Sequence, residues 1–445
     1  MLKSLLGKTE CNFAFIGAGS TTFTLALVSD ILHEPELIRG GELRLVDTDP
    51  DALEEAYKAV CVMIKQSGRA FAVTKHTDFR EVLPGLDFIL FTFITGKYPS
   101  WKTDIEICTK HGVLQSVGDT IGPGGIIRTI RNAPVVFEIT REMEKVCPDA
   151  WAINYSNPEG SLCLAIEKYS KIRTFGLCHG LPNLIERMAG QVFKVEPERV
   201  KFRGGGINHM TWLTELTVDG RDAYPGLRKK LIDAGWDKYQ PISLQLFDWF
   251  GLYPGPQDRH VKEFFSNYLR ERVLEEQDYQ WKNNDFAAVQ KWRDEALEEM
   301  DKLIKGEIDY KEYGTSGETA THFMRALMTG ETELEMASVM NRGYIENISD
   351  GIIVEVPVFI DGFGLHPQTI GPLPAGAAAK CEAVGREFGL AVEAAVTCDR
   401  NLALQAMMLD PLAAHCDYPE RLLDDLLRAY LPLLPEAWRD QVKGE

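Results

Sequence analysis

The first 180 residues alternate between two hydrophobic periods. Cys11–Ile16 is a short apolar run ending in glycine, the pattern of a strand buried on both faces, and Ser20–Leu32 follows with helical spacing. Glu42–Val46 repeats the strand pattern and Pro50–Lys65 the helical one. Phe71–Val73, Phe88–Thr92, Trp151–Asn154 and Thr174–Leu177 read as further strands. Strands alternating with helices predict a parallel sheet covered on both faces. Beyond about residue 195 the pattern changes. Val200–Gly206 and Thr211–Val218 read as paired strands separated by Ile207–Met210. Residues 225–345 read as mostly helical, and the charged stretch Glu271–Tyr310 within them as a solvated helical face. Gly351–Ile360 is strand-like again, and roughly the last 65 residues read as helices rich in alanine and leucine. The expected fold is therefore α/β. A Rossmann-like, doubly wound parallel sheet spans residues 1–195, and a second, mixed α+β, mostly helical lobe spans 196–445. No Ser/Gly/Pro-rich linker separates them, so the lobes are expected to interleave.

Composition narrows the partners. A chain of 445 residues suits two lobes, and 45% hydrophobic with 26% charged residues gives enough apolar surface for a large core. The net charge of −18 repels phosphate backbones and anionic membranes at long range, and no basic run offsets it. Nucleic acid and membrane are accordingly not expected as partners; a small molecule is. No stretch approaches the ~18 apolar residues of a membrane span. The opening MLKSLLGKTECNF lacks the apolar core and cleavage site of a signal peptide. The nine cysteines are scattered without a Cys-x-x-Cys pair, which reads as reduced thiols in a cytoplasm.

The run Phe13-Ala-Phe-Ile-Gly17-Ala-Gly19-Ser20-Thr21 carries two glycines of a dinucleotide fingerprint. Gly17 permits the tight turn out of the strand, and Gly19 lets the backbone approach a pyrophosphate. Ser20 and Thr21 open the helix whose N-terminus supplies N–H donors. The third glycine position is Thr22, so the motif is incomplete. Asp47, at the end of the next strand, suits the hydroxyls of an adenosine ribose and disfavours a 2′-phosphate, pointing to NAD over NADP. The competing reading makes Asp47 the cap of the helix starting near Pro50.

Three further segments follow strands or hairpins. Asn157, in Asn154-Tyr-Ser-Asn157-Pro-Glu-Gly160, has an amide that can both donate to and accept from sugar hydroxyls; the same run also reads as an Asn-Pro turn. Cys178-His179-Gly180 and Asn208-His209 place a cysteine and a histidine roughly 30 residues apart. That matches no closed zinc site, which takes four ligands. On spacing alone these residues fit either an open two-ligand site or a buried thiol and a loop histidine.

Taken in order, these pieces resemble family 4 of the glycoside hydrolases along nearly the whole chain. The resemblance rests on Gly17–Ser20, Gly118-Asp119-Thr120-Ile-Gly-Pro-Gly-Gly125, Arg128–Pro134, Asn154–Pro158, Cys178-His179 and Gly206–Met210. Late in the chain, Asn341–Asn347, Val354–Pro357 and Gly364–Pro374 fit as well. It implies a lactate/malate dehydrogenase-like fold, NAD, and a divalent metal, usually manganese, on Cys178 and His209. It implies hydride removal from carbon 3 of the sugar, proton abstraction at carbon 2, elimination, water addition and re-reduction, not a two-carboxylate displacement. The family's base is a tyrosine or an aspartate, so Asp258 is the first candidate here and Tyr253 the second. Asp119 contacts substrate or positions cofactor, or its loop is a structural turn. Cys178-His179-Gly180 is nearest the branch acting on α-uronides. An acidic sugar needs a cation, and Arg259 and His260 are candidates for its carboxylate, although Arg259 equally fits pairing with a neighbouring acid. His179 joins the substrate set. The expected activity is that of an α-galacturonidase or α-glucuronidase on a small glycoside or oligosaccharide, in a homodimer or homotetramer. The alternatives are a neutral α-glucosidase or α-galactosidase, and an NAD-dependent 2-hydroxy-acid dehydrogenase.

Overall fold

A computed structural model describes residues 5–270 and 286–442. Six strands make the parallel half: β1 (Cys11–Ile16), β2 (Gly41–Val46), β3 (Ala72–His76), β4 (Phe88–Phe91), β5 (Trp151–Asn154) and β6 (Arg173–Gly176). They lie in the order β3-β2-β1-β4-β5-β6, the doubly wound arrangement whose winding reverses between β1 and β4. Every residue of β4 and β5 is buried, as parallel strands covered on both faces must be. Helices α1 (Thr21–His33), α2 (Pro50–Ser67), α3 (Lys97–Lys110), α4 (Gly122–Val146) and α5 (Glu159–Tyr169) supply the crossovers.

The remaining strands extend this sheet rather than forming a separate one. They are β7 (Val200–Ile207), β8 (Met210–Val218), β9 (Arg221–Asp222), β10 (Tyr253–Gly255), β11 (Glu333–Met340), β12 (Ile353–Asp361) and β13 (Gly364–Pro367). β11 pairs antiparallel with β6, and β12, β7, β8 and β10 follow outward. β9 and β13 hang on β8 and β12. The expected β7–β8 hairpin is present. The expectation of a mostly helical 225–345 holds among the described residues, except that β10 and β11 fall inside it. Glu-Leu-Glu-Met-Ala in β11 are good helix formers, but neighbours on both edges override that propensity. Of the charged stretch, residues 271–285 lie outside the described residues, and Phe286–Lys305 is a helix, largely exposed, with Met300 and Leu303 buried.

At the seam Gly176 faces Ser338 of β11. A Cβ on Gly176 would fall 1.2 Å from Glu159 Oε1, so the glycine makes room for a buried carboxylate. Among the described residues no helix is long and apolar enough to cross a membrane.

Behind the sheet, Arg131 of α4 donates through both Nη atoms to Asp104 of α3, each at 2.7 Å, with both side chains fully buried. Tyr430 Oη donates to the same carboxylate at 2.6 Å, and the Tyr430 ring packs 4.0 Å from the guanidinium carbon. This ties the helix Pro419–Tyr430 to α3 and α4 and fixes α4, whose N-terminus carries the glycine-rich loop. Arg131→Met, which strands the Asp104 charge in the core, is expected to cost about 3–5 kcal/mol. Tyr430→Phe removes one hydrogen bond and is expected to cost about 1 kcal/mol. Urea denaturation of the two variants beside the parent measures both.

Candidate active site

β1 turns at Gly17, whose φ of 94° lies in the region that favours glycine. A Cβ there would lie 2.7 Å from Phe93 Cβ, and one on Gly19 would lie 2.8 Å from Asp47 Oδ2. Both glycines are therefore required by close approach. Gly19 N donates to Asp47 Oδ2 at 2.9 Å, and Asp49 N to Asp47 Oδ1 at 2.8 Å. The cap of α2 is Asp49, which accepts from Asp51 N and Ala52 N, so Asp47 is free of the capping role. Ser20 precedes α1 and makes no side-chain cap bond. The Thr21 side chain lies outside what the structure describes.

A cleft of about 280 Å³ opens over this turn. Gly19 and Ser20 line it together with Asp119, Arg128, Tyr155 and Asn157, at the carboxyl ends of the parallel strands. Its far wall is one face of the helix Phe286–Lys305: Val289, Trp292, Arg293 and Leu297. Phe286 holds that helix edge-on against Tyr98 and Trp101, with ring centroids 6.1 and 5.7 Å away. The expected solvated face therefore has a working side, invisible in a charge run. A larger cavity of about 530 Å³ lies at the opposite ends of the parallel strands, where β5 and β6 begin at Trp151 and Arg173. Arg342, Tyr344, Gly364 and Pro367 of the late family-like segments line it, but none of the candidate site residues does, and it sits at the wrong strand ends for this class of sheet.

The glycine-rich loop ahead of α4 is tied down from behind. Val117 N and Gly118 N donate to Glu263 Oε1 at 2.8 and 3.0 Å, and Gly122 N donates to Asp410 Oδ2 at 2.7 Å. Burial pushes these carboxyls up, Glu263 to about 7 and Asp410 to about 6. Held this way, Asp119 accepts from Asn157 Nδ2 at 2.9 Å and from Thr120 Oγ1 at 2.9 Å. Burial disfavours the Asp119 charge, but Arg128, His209, His260 and Thr120 together hold its carboxyl below the usual range. Arg128 is 4% exposed, and among the described residues its Nε and Nη1 have no hydrogen-bond partner.

His209 sits in the β7–β8 loop at φ 67°, a left-handed conformation costing about 1–2 kcal/mol for a residue with a side chain. Such strain persists where the surroundings impose it, often at functional sites. Its Nδ1 lies 2.6 Å from Thr120 Oγ1, and its ring packs on His260 with centroids 4.2 Å apart. Ligand atoms of Asp119, His209 and His260 all lie within 4.8 Å of one another. Burial pushes the His209 imidazole down; burial and then His209 push His260 well down. Asn208 is buried beside them, and among the described residues its amide N and O and His260 Nδ1 have no partner. Each such orphan costs about 1–3 kcal/mol unless a ligand satisfies it, so the donor set fits a polar or metal-bearing ligand.

Cys178 follows β6, and its Sγ accepts from Gly180 N at 3.4 Å. Burial, and then Glu355, push the thiol well up. Two of the buried carboxyls near it, Glu159 and Glu355, are themselves raised by burial to about 7 and about 8. The thiol is not part of the Asp119–His209–His260 group. His179 is ion-paired through Nδ1 with Glu318, which raises its pKa; it does not line the cleft. Arg259 lies beside His209 and lends its carbonyl to Ser116 Oγ at 2.6 Å.

The two expected bases stand outside the lining of this cleft. Asp258 accepts from Ile242 N, Ser243 N and Ser243 Oγ at 2.8, 2.7 and 2.6 Å, anchoring the start of the helix Pro241–Phe250. Tyr253 is buried between Trp236 and Phe247, with ring centroids 6.1 and 5.9 Å away. Sequence reasoning gave no individual role to Arg128, Thr120 or Glu318. Two of them stood inside quoted runs, but neither an arginine after a glycine turn nor a threonine beside an aspartate announces its partner.

Comparison with known proteins agrees with this arrangement. Residues 12–193 match the model described as family 4 glycosyl hydrolase, and residues 205–413 its C-terminal domain. The chain is 30% identical over 435 residues to an alpha-galactosidase of Bacillus subtilis (strain 168), covering 95% of this chain and 98% of that one. It is 29% identical to an alpha-galacturonidase of Thermoanaerobacter italicus (strain DSM 9252 / Ab9), covering 92% and 93%. The 6-phospho-beta glucosidase of Thermotoga maritima, solved with manganese, NAD+ and glucose-6-phosphate, shares the fold at a TM-score of 0.82, with 23% identity over 95% of this chain and 99% of that one. The malate dehydrogenase of Plasmodium falciparum shares it at 0.51, with 16% identity over 88% and 99%, in keeping with the expected dehydrogenase-like architecture. With a nucleotide turn of the dinucleotide type, a histidine hairpin folded onto a glycine-rich loop, and kinship over nearly its whole length, the chain belongs to family 4 of the glycosyl hydrolases.

Proposed function

We propose that the protein hydrolyses an α-glycosidic bond of a hexuronic acid, an α-galacturonide or α-glucuronide, by transient oxidation at carbon 3. The observation that carries the acidic sugar is Arg128. A guanidinium buried in the cleft beside Asn157, with two nitrogens uncommitted, suits a carboxylate. Relatives named alpha-galacturonidase support the same reading. A neutral α-galactoside is the second reading, supported by the alpha-galactosidase relative.

In this reading NAD supplies a reversible hydride acceptor, and a divalent cation, manganese first, supplies the Lewis acid that acidifies the carbon-2 proton. Gly17 and Gly19 bring the backbone close to the pyrophosphate, and Asp47 receives ribose hydroxyls. Cys178 and His209 hold the cation, with Asp119 and His260 beside the His209 ring; imidazole and carboxylate donors suit manganese better than a thiolate does. Asn157 and Asp119 bind sugar hydroxyls at the cleft floor. Arg259 stands next to the histidine pair and adds positive charge on that side. The enzyme works as a homodimer or homotetramer in the cytoplasm.

The first test is release of p-nitrophenol from its α-galacturonide, α-glucuronide, α-glucoside and α-galactoside, with and without NAD, Mn²⁺ and a reducing thiol. Hydrolysis of a uronide that needs all three additions is expected. Hydrolysis of a neutral glycoside alone would discard the acidic substrate and keep the chemistry. NADH accumulating from a hydroxy acid, with no hydrolysis, would discard both.

Arg128→Ala separates charge recognition from fold. Loss of a charge-assisted contact worth about 1.5–3 kcal/mol lowers kcat/KM on the uronide about 10–150-fold. An unchanged uronide-to-neutral ratio would remove Arg128 from carboxylate recognition.

Gly17→Ala introduces a Cβ 2.7 Å from Phe93. NAD affinity, followed by NADH fluorescence, is expected to fall at least ~10-fold, about 1.4 kcal/mol, while the circular dichroism spectrum is unchanged. Unaltered affinity would place the dinucleotide elsewhere.

A further inference from the structure

We infer that Thr120 is a positioning residue: it fixes the tautomer of His209 so that the bare Nε2 faces a bound divalent cation. The inference rests on the metal reading above and deepens it. Thr120 Oγ1 lies between two groups, Asp119 Oδ1 at 2.9 Å and His209 Nδ1 at 2.6 Å. A threonine hydroxyl has one proton to give, and an aspartate carboxylate has none. Asp119 already receives Asn157 Nδ2–H on its other oxygen, so it acts in this chain as an acceptor. The hydroxyl proton therefore points to Asp119. The hydroxyl oxygen is left to accept, and what it accepts is the proton on His209 Nδ1. A histidine that binds a metal does so as the neutral imidazole, which has a single N–H, so Nε2 keeps its lone pair. The opposite tautomer would leave the hydroxyl with two acceptors and one proton.

The geometry of this relay is set before any ligand arrives. The loop carrying Asp119 and Thr120 is tied through Gly118 N to Glu263 and through Gly122 N to Asp410. His209, with its left-handed backbone, places its ring against that loop at Thr120. Metal-binding histidines commonly donate their second ring nitrogen to a carboxylate or carbonyl, which sets tautomer and orientation. Here a hydroxyl is interposed, and the carboxylate behind it orders the chain.

The experiment uses full-length protein labelled with ¹⁵N-histidine, as parent, Thr120→Val and Thr120→Ser, with His209→Gln to assign the resonance. Two-bond ¹⁵N–¹H correlations of the metal-free protein read the tautomer directly. Loss of the free Mn²⁺ electron paramagnetic resonance signal reads affinity. The parent is expected to show Nδ1–H at His209. Thr120→Val is expected to lose that pattern and to weaken Mn²⁺ binding about 10–100-fold, and Thr120→Ser to retain both. Nε2–H in the parent, or Thr120→Val matching the parent in both readouts, would overturn the inference. A parent that binds no Mn²⁺ overturns the metal reading and the cation-facing role with it, and the spectrum alone then decides the tautomer.

Discussion

The site depends on one chain of hydrogen bonds: Asn157 to Asp119, Thr120 to Asp119, and His209 with Thr120. Its residues come from three places. Asn157 follows the last residue of β5 in the parallel half. Asp119 and Thr120 belong to the loop ahead of α4. His209 lies in a hairpin of the antiparallel half. No sheet ladder joins these segments directly, so side chains make the junction. The junction is buried at Thr120 and His209 and part-buried at Asp119 and Asn157, which makes its bonds expensive to break, because an unpaired group would stay largely out of water. Arg128 adds positive charge beside it without closing its own hydrogen bonds, and that leaves the cleft with a cation to offer.

Much of the frame was legible in the sequence because it obeys local rules. β1, β2, β4 and β5 are apolar runs bounded by turns, and their edges fall within a residue or so of the expected ones. The Asn208-His209 turn announced itself between two strands of the right period. What escaped was set by tertiary context. β11 is written in helix-forming residues and becomes a strand because β6 and β12 flank it. The helix Phe286–Lys305 looks uniformly charged, and which of its faces meets the cleft depends on Tyr98 and Trp101, almost 190 residues earlier.

Asp258 and Tyr253 show how much of a candidate base's surroundings residue type leaves unsaid. An acid and a phenol in a Pro/Gly-rich loop near a histidine look like a base and its reserve. In space the acid turns back to the amides of Ile242 and Ser243, where a helix start rewards negative charge. The phenol goes to the aromatic cluster beneath it. Distance along the chain placed them near His209, and their orientation, which sequence does not encode locally, is set by the fold. Glu159 shows the converse. It stood in a motif with no role assigned, and Gly176 turns out to be a glycine on its account.

Asp47 carries a consequence of a different kind. Its two oxygens each hold an amide, one from the turn after β1 and one from the residue that caps α2. The carboxylate is thus locked in rotamer by folding itself, with lone pairs still unspent on both oxygens. If a ribose binds there, as the proposed function has it, it meets an acceptor that is already aimed, so little further order has to be imposed on the protein at that contact. The same lock makes the acid a ruler between two turns: a side chain one methylene longer could not keep both amides and stay in place.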